Sequence, residues 1–421
     1  MVGFGLFLIF SIFLFKSFFK TSVVLLIWQL VFMHVQVGEN YTLNGLLGFV
    51  LLIAFFIQVY SRKVNLKSFP FLKGYFLVFL SFLFAGFELR IGVVGSLLSM
   101  FILPLAFWLS KDKIENWISF VVNNLCVLSI PIIIIGLIEL ILGYNLVGLW
   151  LEANGIMGFA EMSEDYMRFG MIRCHSLVAW CSTYGVLCGY TLITLLFASY
   201  YNVERNKILI YTLSLLLFIG VISTGTRSVY LAVAIGMIPL MFLYTTKIKY
   251  LICFSAICAI VYYFNQELLD KILESFINHE DAGGSSIEMR DSQFDAAYEY
   301  FVRHPLFGNG IGYVSTAMKE SPKLLGAESC IFIIMIDRGI FGFLAYGFLN
   351  IQIILYYLKS RHFCLLIFIP IGILVGKLIS AFIDIGELYP IMWLAIITQI
   401  ISKFLIKKDI KYGISWNNNR S

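Results

Sequence analysis

Apolar runs long enough to cross a membrane, separated by short charged breaks, follow one another along the whole chain. A helix needs about 20 apolar residues to cross a bilayer, and helices satisfy their own backbone polar groups in lipid. Thirteen runs are candidate spans, near residues 2–15, 21–36, 44–60, 74–89, 92–109, 118–142, 177–200, 208–224, 228–246, 250–264, 330–358, 363–382 and 388–405. The predicted fold is all-α and polytopic, with about 12–14 transmembrane helices.

The composition agrees with this fold and excludes a soluble globular protein. The chain is 60% hydrophobic and 13% charged, whereas soluble domains are about 45–50% apolar and about 25% charged. Its eight cysteines lie mostly inside apolar runs and form no CxxC pair. They are interpreted as small buried hydrophobes, and the sequence predicts neither a metal site nor a cofactor.

Basic residues cluster in alternate loops, which fixes the predicted orientation. With these spans, one side holds 19 Lys and Arg against 4 Asp and Glu, and the opposite side holds 11 against 21. Loops rich in Lys and Arg face the cytoplasm in membrane proteins. The net charge of +5 therefore reflects membrane topology and gives no sign of a nucleic-acid partner.

Only two loops on the acidic, outer side are long, and chemistry is expected there because connecting loops carry function. The predicted organisation has six parts. They are N-terminal transmembrane helices (1–142), a first external loop (143–176), central transmembrane helices (177–264), a large external loop with helical structure (265–329), C-terminal transmembrane helices (330–405) and a cytoplasmic tail (406–421).

Arginine and lysine are distributed differently between the two sides. Of 19 lysines, 15 are cytoplasmic, whereas seven of 11 arginines lie on the outer side: Arg90, Arg168, Arg173, Arg227, Arg290, Arg303 and Arg338. A planar guanidinium that donates paired hydrogen bonds suits phosphate. Either the outer face binds phosphate, or positive-inside selection acts mainly on lysine.

Two short segments place arginine at the outer ends of predicted spans. Arg227 lies in STGTRSVYL between two apolar runs, so it either binds an anion in a wet cavity or extends to the headgroups. Arg173 and His175 lie in MIRCHSLVAW, where the seventh span begins. Either residue is a candidate substrate contact, although a hydrogen-bonded interfacial role explains His175 equally simply.

The large external loop contains a predicted helix over 287–302. Arg290, Phe294, Ala297 and Phe301 share one face of it by their spacing. Arg290 is therefore expected on the apolar face.

A glycine-rich turn follows this helix. Pro305 ends the helix, and Gly308, Gly310 and Gly312 alternate after it. Such a turn either presents backbone N–H groups to an anion or is a plain turn. No strand precedes it and no helix is predicted to open directly from it, so a dinucleotide site is excluded.

An acidic residue opens the eleventh predicted span. Glu328 is either a helix cap, favoured by the helix dipole, or a proton acceptor beside a partly desolvated cavity. Asp337 and Arg338 follow on the same helix. As sequence neighbours they do not share a helix face, so at least one of them needs another partner.

The order of these segments resembles the O-antigen polymerase and ligase superfamily of bacterial membrane glycosyltransferases. Arg173 in RCHSLVAW resembles the family's arginine ahead of the central spans, and TGTRSVYL resembles its SRSAWL-like turn. MRDSQFDAAYEYFVRHPLFGNGIGYV resembles the external-loop segment R-x-x-x-W-x-x-A…HPLxGxGxG, and AESCIFIIMIDRGIFG resembles the segment H-N-x-x-L…G-x-x-G. The resemblance covers residues 170–345.

Three positions depart from the family pattern. Phe294 replaces the tryptophan of the loop segment, and Glu328 and Ser329 replace its histidine–asparagine pair. In the ligase branch that histidine is the proposed base, so its replacement favours the repeat-unit polymerase branch. Glu328 is then the first candidate for the base, and His175 the second.

The resemblance implies an inverting, metal-independent glycosyl transfer on the outer face of the bacterial cytoplasmic membrane, with an undecaprenyl-diphosphate-linked glycan as donor and another as acceptor. Glu328, Arg290 and Arg227 would be catalytic. Substrate contacts would come from Arg173, Arg227, Arg290, Arg303, Arg338 and His175. A chain-length regulator is a possible membrane partner. The alternatives are a ligase that transfers the glycan to another acceptor, and a transporter of lipid-linked oligosaccharides, although no repeated halves typical of transporters occur.

Overall fold

The structure, a computed structural model, is almost entirely helical. It describes residues 2–32, 35–38, 41–61, 65–86, 91–153, 167–168, 171–178, 180–203, 206–245, 287–324, 329–360, 362–379 and 388–412. The α-helices in this part of the chain are α1 Val2–Lys16, α2 Phe18–Phe32, α3 Leu43–Tyr60, α4 Leu72–Ala85, α5 Ile91–Ser110, α6 Trp117–Leu142, α7 Leu146–Ala153, α8 Cys181–Tyr200, α9 Lys207–Ile222, α10 Arg227–Thr245, α11 Ile287–Phe301, α12 Tyr313–Glu320, α13 Cys330–Leu358, α14 Phe368–Ile379 and α15 Pro390–Tyr412.

Short strands and 3-10 turns complete the described structure. Two antiparallel pairs are formed by β1 Gln36–Gly38 with β2 Tyr41–Thr42, and by β3 Met167–Arg168 with β4 Met171–Ile172. Single 3-10 turns lie at Leu66–Ser68, Pro322–Leu324 and Cys364–Ile367.

The helices confirm an all-α polytopic membrane protein. Six are long and apolar enough to cross a membrane (α3, α5, α6, α8, α10 and α13), and six shorter apolar helices accompany them. Together they coincide with all the predicted runs except 250–264, which lies outside the described residues. Many large apolar side chains on these helices are exposed on the protein surface, as expected where lipid is the solvent.

Small residues bring neighbouring helices close together. A Cβ added at Gly48 on α3 would clash with the carbonyl oxygen of Gly95 on α5, and one added at Gly45 would lie 2.9 Å from the carbonyl oxygen of Gly92. Helix interfaces in membranes use small residues in this way because packing replaces the hydrophobic drive. The contacts also show that α3 and α5 begin on the same side of the bundle.

That side carries α11 and α12 and is called the loop side below. The backbone N–H of Ile311, in the glycine-rich turn, donates to the carbonyl of Gly86 at the end of α4 (2.9 Å), so the turn lies on the side where α4 ends. Helix α5 starts there and runs away from it. Helix α6 returns to it, because α5 and α6 are joined by only the short turn 111–116. The C-terminal end of α6 is therefore on the loop side.

Helices α11 and α12 pack on the first turns of α13. A small apolar core joins them, and its buried members are Ala296, Ala297, Tyr300, Val314, Ala317, Leu324, Phe332 and Ile336. Helix α11 confirms the predicted helix over 287–302. The predicted apolar face is wrong in part, because Phe294 is 48% exposed while Gln293 and Ala297 are fully buried. The packing surface of α12 and α13 selects a face rotated toward Gln293.

Helix α13 breaks where the glycine-rich turn crosses it. Gly339 has φ 60° and ψ −159° inside the helix, a conformation that only glycine adopts readily. A Cβ there would lie 2.6 Å from the carbonyl oxygen of Pro305. The break separates the part of α13 that packs with α11 and α12 from the part that continues into the bundle.

Candidate functional site

Arg173 joins the segment before α8 to the turn between α9 and α10. Its Nε donates to the carbonyl of Thr224 (3.2 Å) and its Nη2 to the hydroxyl of Thr226 (2.9 Å). The backbone N–H of Cys174 donates to the carbonyl of Ser223 (3.1 Å) in the same turn. Residues far apart in sequence thus form one tight contact through an arginine that uses its fork of donors.

This contact places Arg173 beside Arg227. Thr226, which accepts from Arg173, immediately precedes Arg227, and Arg227 is the first residue of α10. Gly225 allows the sharp turn with φ 59°. Both arginine side chains are half-buried on the loop side, and the segments that carry them are in direct contact.

A buried carboxylate holds the loop that carries Arg173, and we call this contact the glutamate anchor. Glu139 Oε2 of α6 accepts from the backbone N–H groups of His175 (3.1 Å) and Ser176 (2.8 Å). Glu139 is fully buried. Two hydrogen bonds from consecutive backbone N–H groups to one buried oxygen fix the loop in place. The sequence analysis missed Glu139, although a lone acid in the apolar run IGLIELILG is the signal that could have found it.

His175 is packed under the short helix α7. Its side chain is buried, its Nδ1 lies 3.1 Å from the carbonyl oxygen of Val178, and its Nε2 would lie 3.5 Å from a Cβ added at Gly148. The neighbouring Cys174 is buried too, and this burial raises the pKa of its thiol to about 12. These contacts match the hydrogen-bonded role that the sequence left open for His175.

A second carboxylate holds the glycine-rich turn, and we call this contact the aspartate anchor. Asp337 Oδ2 accepts from the N–H of Gly312 (2.8 Å), and Oδ1 accepts from that of Val314 (2.8 Å). The prediction that no helix opens from this turn is wrong, because α12 begins at Tyr313. The turn does present backbone N–H groups to an acidic group. That group is the side chain of Asp337, which belongs to the protein itself.

Comparison with protein families identifies one matching region of the chain. Residues 212–347 match the family model described as O-Antigen ligase. This match supports the O-antigen polymerase and ligase superfamily. A search of curated proteins finds no match for it. The matched region runs from α9 to α13, so it includes Arg227 and the aspartate anchor, whereas Arg173 and Glu139 precede it.

Two further arginines of the superfamily region occupy different surroundings. Arg338 is buried, its Nη1 donates to the hydroxyl of Ser81 (3.3 Å), and its guanidinium lies 4.3 Å from the ring centre of Phe82. Asp337 and Arg338 thus each have a partner besides one another, and the sequence predicted that at least one of them would need one. Arg303 is exposed and lies 4.4 Å from the ring centre of Tyr300. Burial and a hydrogen bond to Glu320 raise the pKa of Tyr300.

Two residues of the predicted site, Arg290 and Glu328, are not fully covered by the part of the chain that the structure describes. Arg290 belongs to α11, three residues before the buried Gln293, but its side chain is outside the described part. Glu328, with residues 325–327, is outside the described residues. Ser329 caps α13, and its hydroxyl accepts from the N–H of Ile331 (3.3 Å). Glu328 therefore directly precedes a helix N-terminus that packs with α11.

Proposed function

We propose that this member of the superfamily joins polyprenyl-diphosphate-linked oligosaccharide repeat units into a polysaccharide, on the outer face of a bacterial cytoplasmic membrane. The single observation that carries the proposal is the pairing of Arg173 with the turn that ends at Arg227. It holds two guanidinium-bearing segments together on the loop side. A lipid diphosphate head lies at this depth when its polyprenyl tail is in the bilayer.

In the proposed reaction, the acceptor sugar hydroxyl attacks the anomeric carbon of the donor and the bond from that carbon to the diphosphate oxygen breaks. Arg173, Arg227 and Arg290 neutralise the charge that develops on the diphosphate, as preorganised donors do in a water-poor site. A base takes the hydroxyl proton, with Glu328 as first candidate and His175 as second. Because attack and departure are on opposite faces of the carbon, the anomeric centre is inverted.

The charge distribution supports the outer location. Lysines flank the ends of helices opposite the loop side, at Lys16, Lys67, Lys113, Lys207 and Lys359. Cytoplasmic loops are rich in lysine. The loop side, with both anchors, is then the outer side.

The residues at the start of α13 favour polymerisation over ligation. The superfamily's ligase branch has a histidine–asparagine pair where this chain has Glu328 and Ser329. Transfer of the finished glycan to a different acceptor is the second candidate function, and the matched family model, described as O-Antigen ligase, favours it.

Purified protein in lipid vesicles tests the proposal directly. The vesicles receive the undecaprenyl-diphosphate-linked repeat unit of the same organism, without nucleotide sugar or added metal, and glycan length is followed on a gel. We expect a ladder from the wild type and from Glu299→Gln, an exposed acid on α11, and none from Glu328→Gln. A ladder from Glu328→Gln would move the base to His175. No ladder from the wild type, but transfer to an added acceptor, would support ligation instead.

Substitutions of the arginines test the diphosphate contacts separately. Arg227→Ala and Arg290→Ala are expected to abolish the ladder while inserting normally, and Arg290→Lys should also fail because lysine lacks the planar pair of donors. Lys319→Ala, an exposed basic residue on α12, is the matched control. Near-normal polymer from both alanine variants would overturn the proposed diphosphate contacts.

A further inference from the structure

The lipid-facing surface of α13 begins directly after its break. Ile340, Phe343 and Leu344 are 44%, 44% and 60% exposed, and exposed apolar side chains continue to Leu358. Residues 340–358 at about 1.5 Å each span about 28 Å, which matches a hydrocarbon core about 30 Å thick. The residues next to Ile340 therefore mark the boundary between lipid and the loop side.

Residues 305–307, which form the turn just before Gly308, lie at this boundary. The N–H of Ile340 donates to the carbonyl of Pro305 (2.8 Å), and the N–H of Phe341 donates to that of Leu306 (3.1 Å). These bonds cap the N-terminal end of the second part of α13, where helical N–H groups have no partner inside the helix. The depth of residues 305–307 is thus fixed against the lipid-facing helix.

Three rings and a leucine form an exposed apolar patch at this depth. Phe307 stacks on Phe84 with ring centres 5.4 Å apart, and Phe341 packs edge-on against both rings at 5.8 and 5.7 Å. Leu306, Phe84 and Phe307 are 62%, 57% and 43% exposed. The patch continues onto the lipid-facing side of α4, where Leu83 is 47% exposed. We call these four residues (Phe84, Leu306, Phe307 and Phe341) the aromatic wedge.

We propose that the aromatic wedge inserts into the outer leaflet of the bilayer and holds the external helices α11 and α12 at the membrane surface. Its occupant is phospholipid, because the patch is continuous with the lipid-facing surfaces of α4 and α13. Phenylalanine and leucine side chains of segments at a membrane surface bury at the boundary between headgroups and acyl chains. The inference is independent of the proposed reaction and adds a membrane contact to the external loop.

Charge beside the wedge specifies the headgroup. Arg303 and His304 directly precede the turn and are exposed, and Arg303 lies against the ring of Tyr300 on α11. A guanidinium at the level of the headgroups pairs with lipid phosphate and favours anionic lipid. In this proposal the phosphate that Arg303 contacts belongs to the bilayer.

Photocrosslinking tests the wedge without relying on catalysis. The full-length protein, carrying the photoreactive amino acid benzoylphenylalanine in place of Phe307, is placed in vesicles of phosphatidylcholine and phosphatidylglycerol that contain no polyprenyl lipid. The matched control has the same amino acid in place of Tyr298, an exposed aromatic residue on α11 (51% exposed). Phospholipid adducts are measured by mass spectrometry after illumination.

We expect at position 307 at least about five times the phospholipid adduct found at position 298, because only the wedge reaches the acyl chains. Adding Arg303→Gln should lower the share of phosphatidylglycerol among the adducts at position 307 by about twofold or more. Equal adduct at both positions, adduct at neither, or crosslinks from position 307 to a second protein chain would overturn the proposal. An unchanged phosphatidylglycerol share would remove the headgroup contact assigned to Arg303.

Discussion

The glutamate anchor and the aspartate anchor use the same chemistry at two places on the loop side. In each, a buried carboxylate near the loop-side end of a helix accepts from two backbone N–H groups of a segment distant in sequence: Glu139 from 175 and 176, and Asp337 from 312 and 314. Each anchor also has an arginine close by in the sequence. Arg338 directly follows Asp337, and Arg173 lies two residues before His175 in the segment that Glu139 holds.

The arginines differ in what surrounds them. Arg173 is half-buried and binds a turn that ends at a second half-buried arginine. Arg338 is buried, with Ser81 and the ring of Phe82 against its guanidinium. The difference suggests a test of which arginines contact substrate. We expect the exposure and the partners of each guanidinium to distinguish one that faces a substrate from one that packs helices together.

The largest expected effect comes from breaking the fit between the glycine-rich turn and α13. Gly339→Ala should destabilise the folded protein by about 2–4 kcal/mol, because alanine resists the positive φ and its Cβ meets backbone atoms of the turn. Gly347→Ala, on the same helix with nothing within 4 Å of its added Cβ, is the control. Thermal unfolding in detergent measures both, and equal midpoints would contradict the role given to Gly339.

Removing the charge of the aspartate anchor should have a smaller effect on the same region. Asp337→Asn should cost about 2 kcal/mol, because its amide NH₂ faces one of the two N–H groups that the carboxylate accepts. Hydrogen exchange of α12 measures the change. Asp295→Asn, which changes an exposed acid on α11, should leave the exchange of α12 unaltered. Unaltered exchange in Asp337→Asn as well would mean that the aspartate anchor does not hold the glycine-rich turn.

On the other side of the comparison, Arg173→Lys should lower the polymerisation rate at least about tenfold, or about 1.4 kcal/mol, because lysine cannot donate in a fork to Thr224 and Thr226. Thr226→Val should lower it in the same direction. Thr194→Val removes a buried hydroxyl that donates only within α8 (2.8 Å) and controls for general loosening. A full rate in Arg173→Lys would mean that the contact positions nothing that the reaction needs.

The smallest effect is expected at the buried arginine. Arg338→Met keeps most of the packing volume, and Ser81 still donates to the carbonyl of Val78 (2.7 Å), so polymer yield should stay within about twofold of the wild type. Arg173→Met in the same assay should abolish polymer. If Arg338→Met folds normally yet makes no polymer, Arg338 contacts substrate as the sequence suggests, and burial does not separate the two arginines.

The sequence by itself determined the fold class, the positions of most helices and several of the segments that lie in contact on the loop side. Apolar runs predict membrane helices well for two reasons. The thickness of the bilayer sets their length, and a helix satisfies its own backbone hydrogen bonds in lipid. This is why α13 was predicted to within a residue. Arg173 and Arg227 also stood out in the sequence, because charge next to an apolar run is rare enough to be noticed.

Only the tertiary structure decided which partner each polar group takes. The sequence shows Glu139 as one acid in an apolar run and Asp337 as one acid beside an arginine, and neither pattern reveals the backbone N–H groups that they bind. Those groups are the same in every residue except proline, so the sequence does not record which of them a carboxylate will meet. The same reason explains the rotated face of α11, since the surface of α12 and α13, folded from residues further along the chain, selects the side chains that are buried.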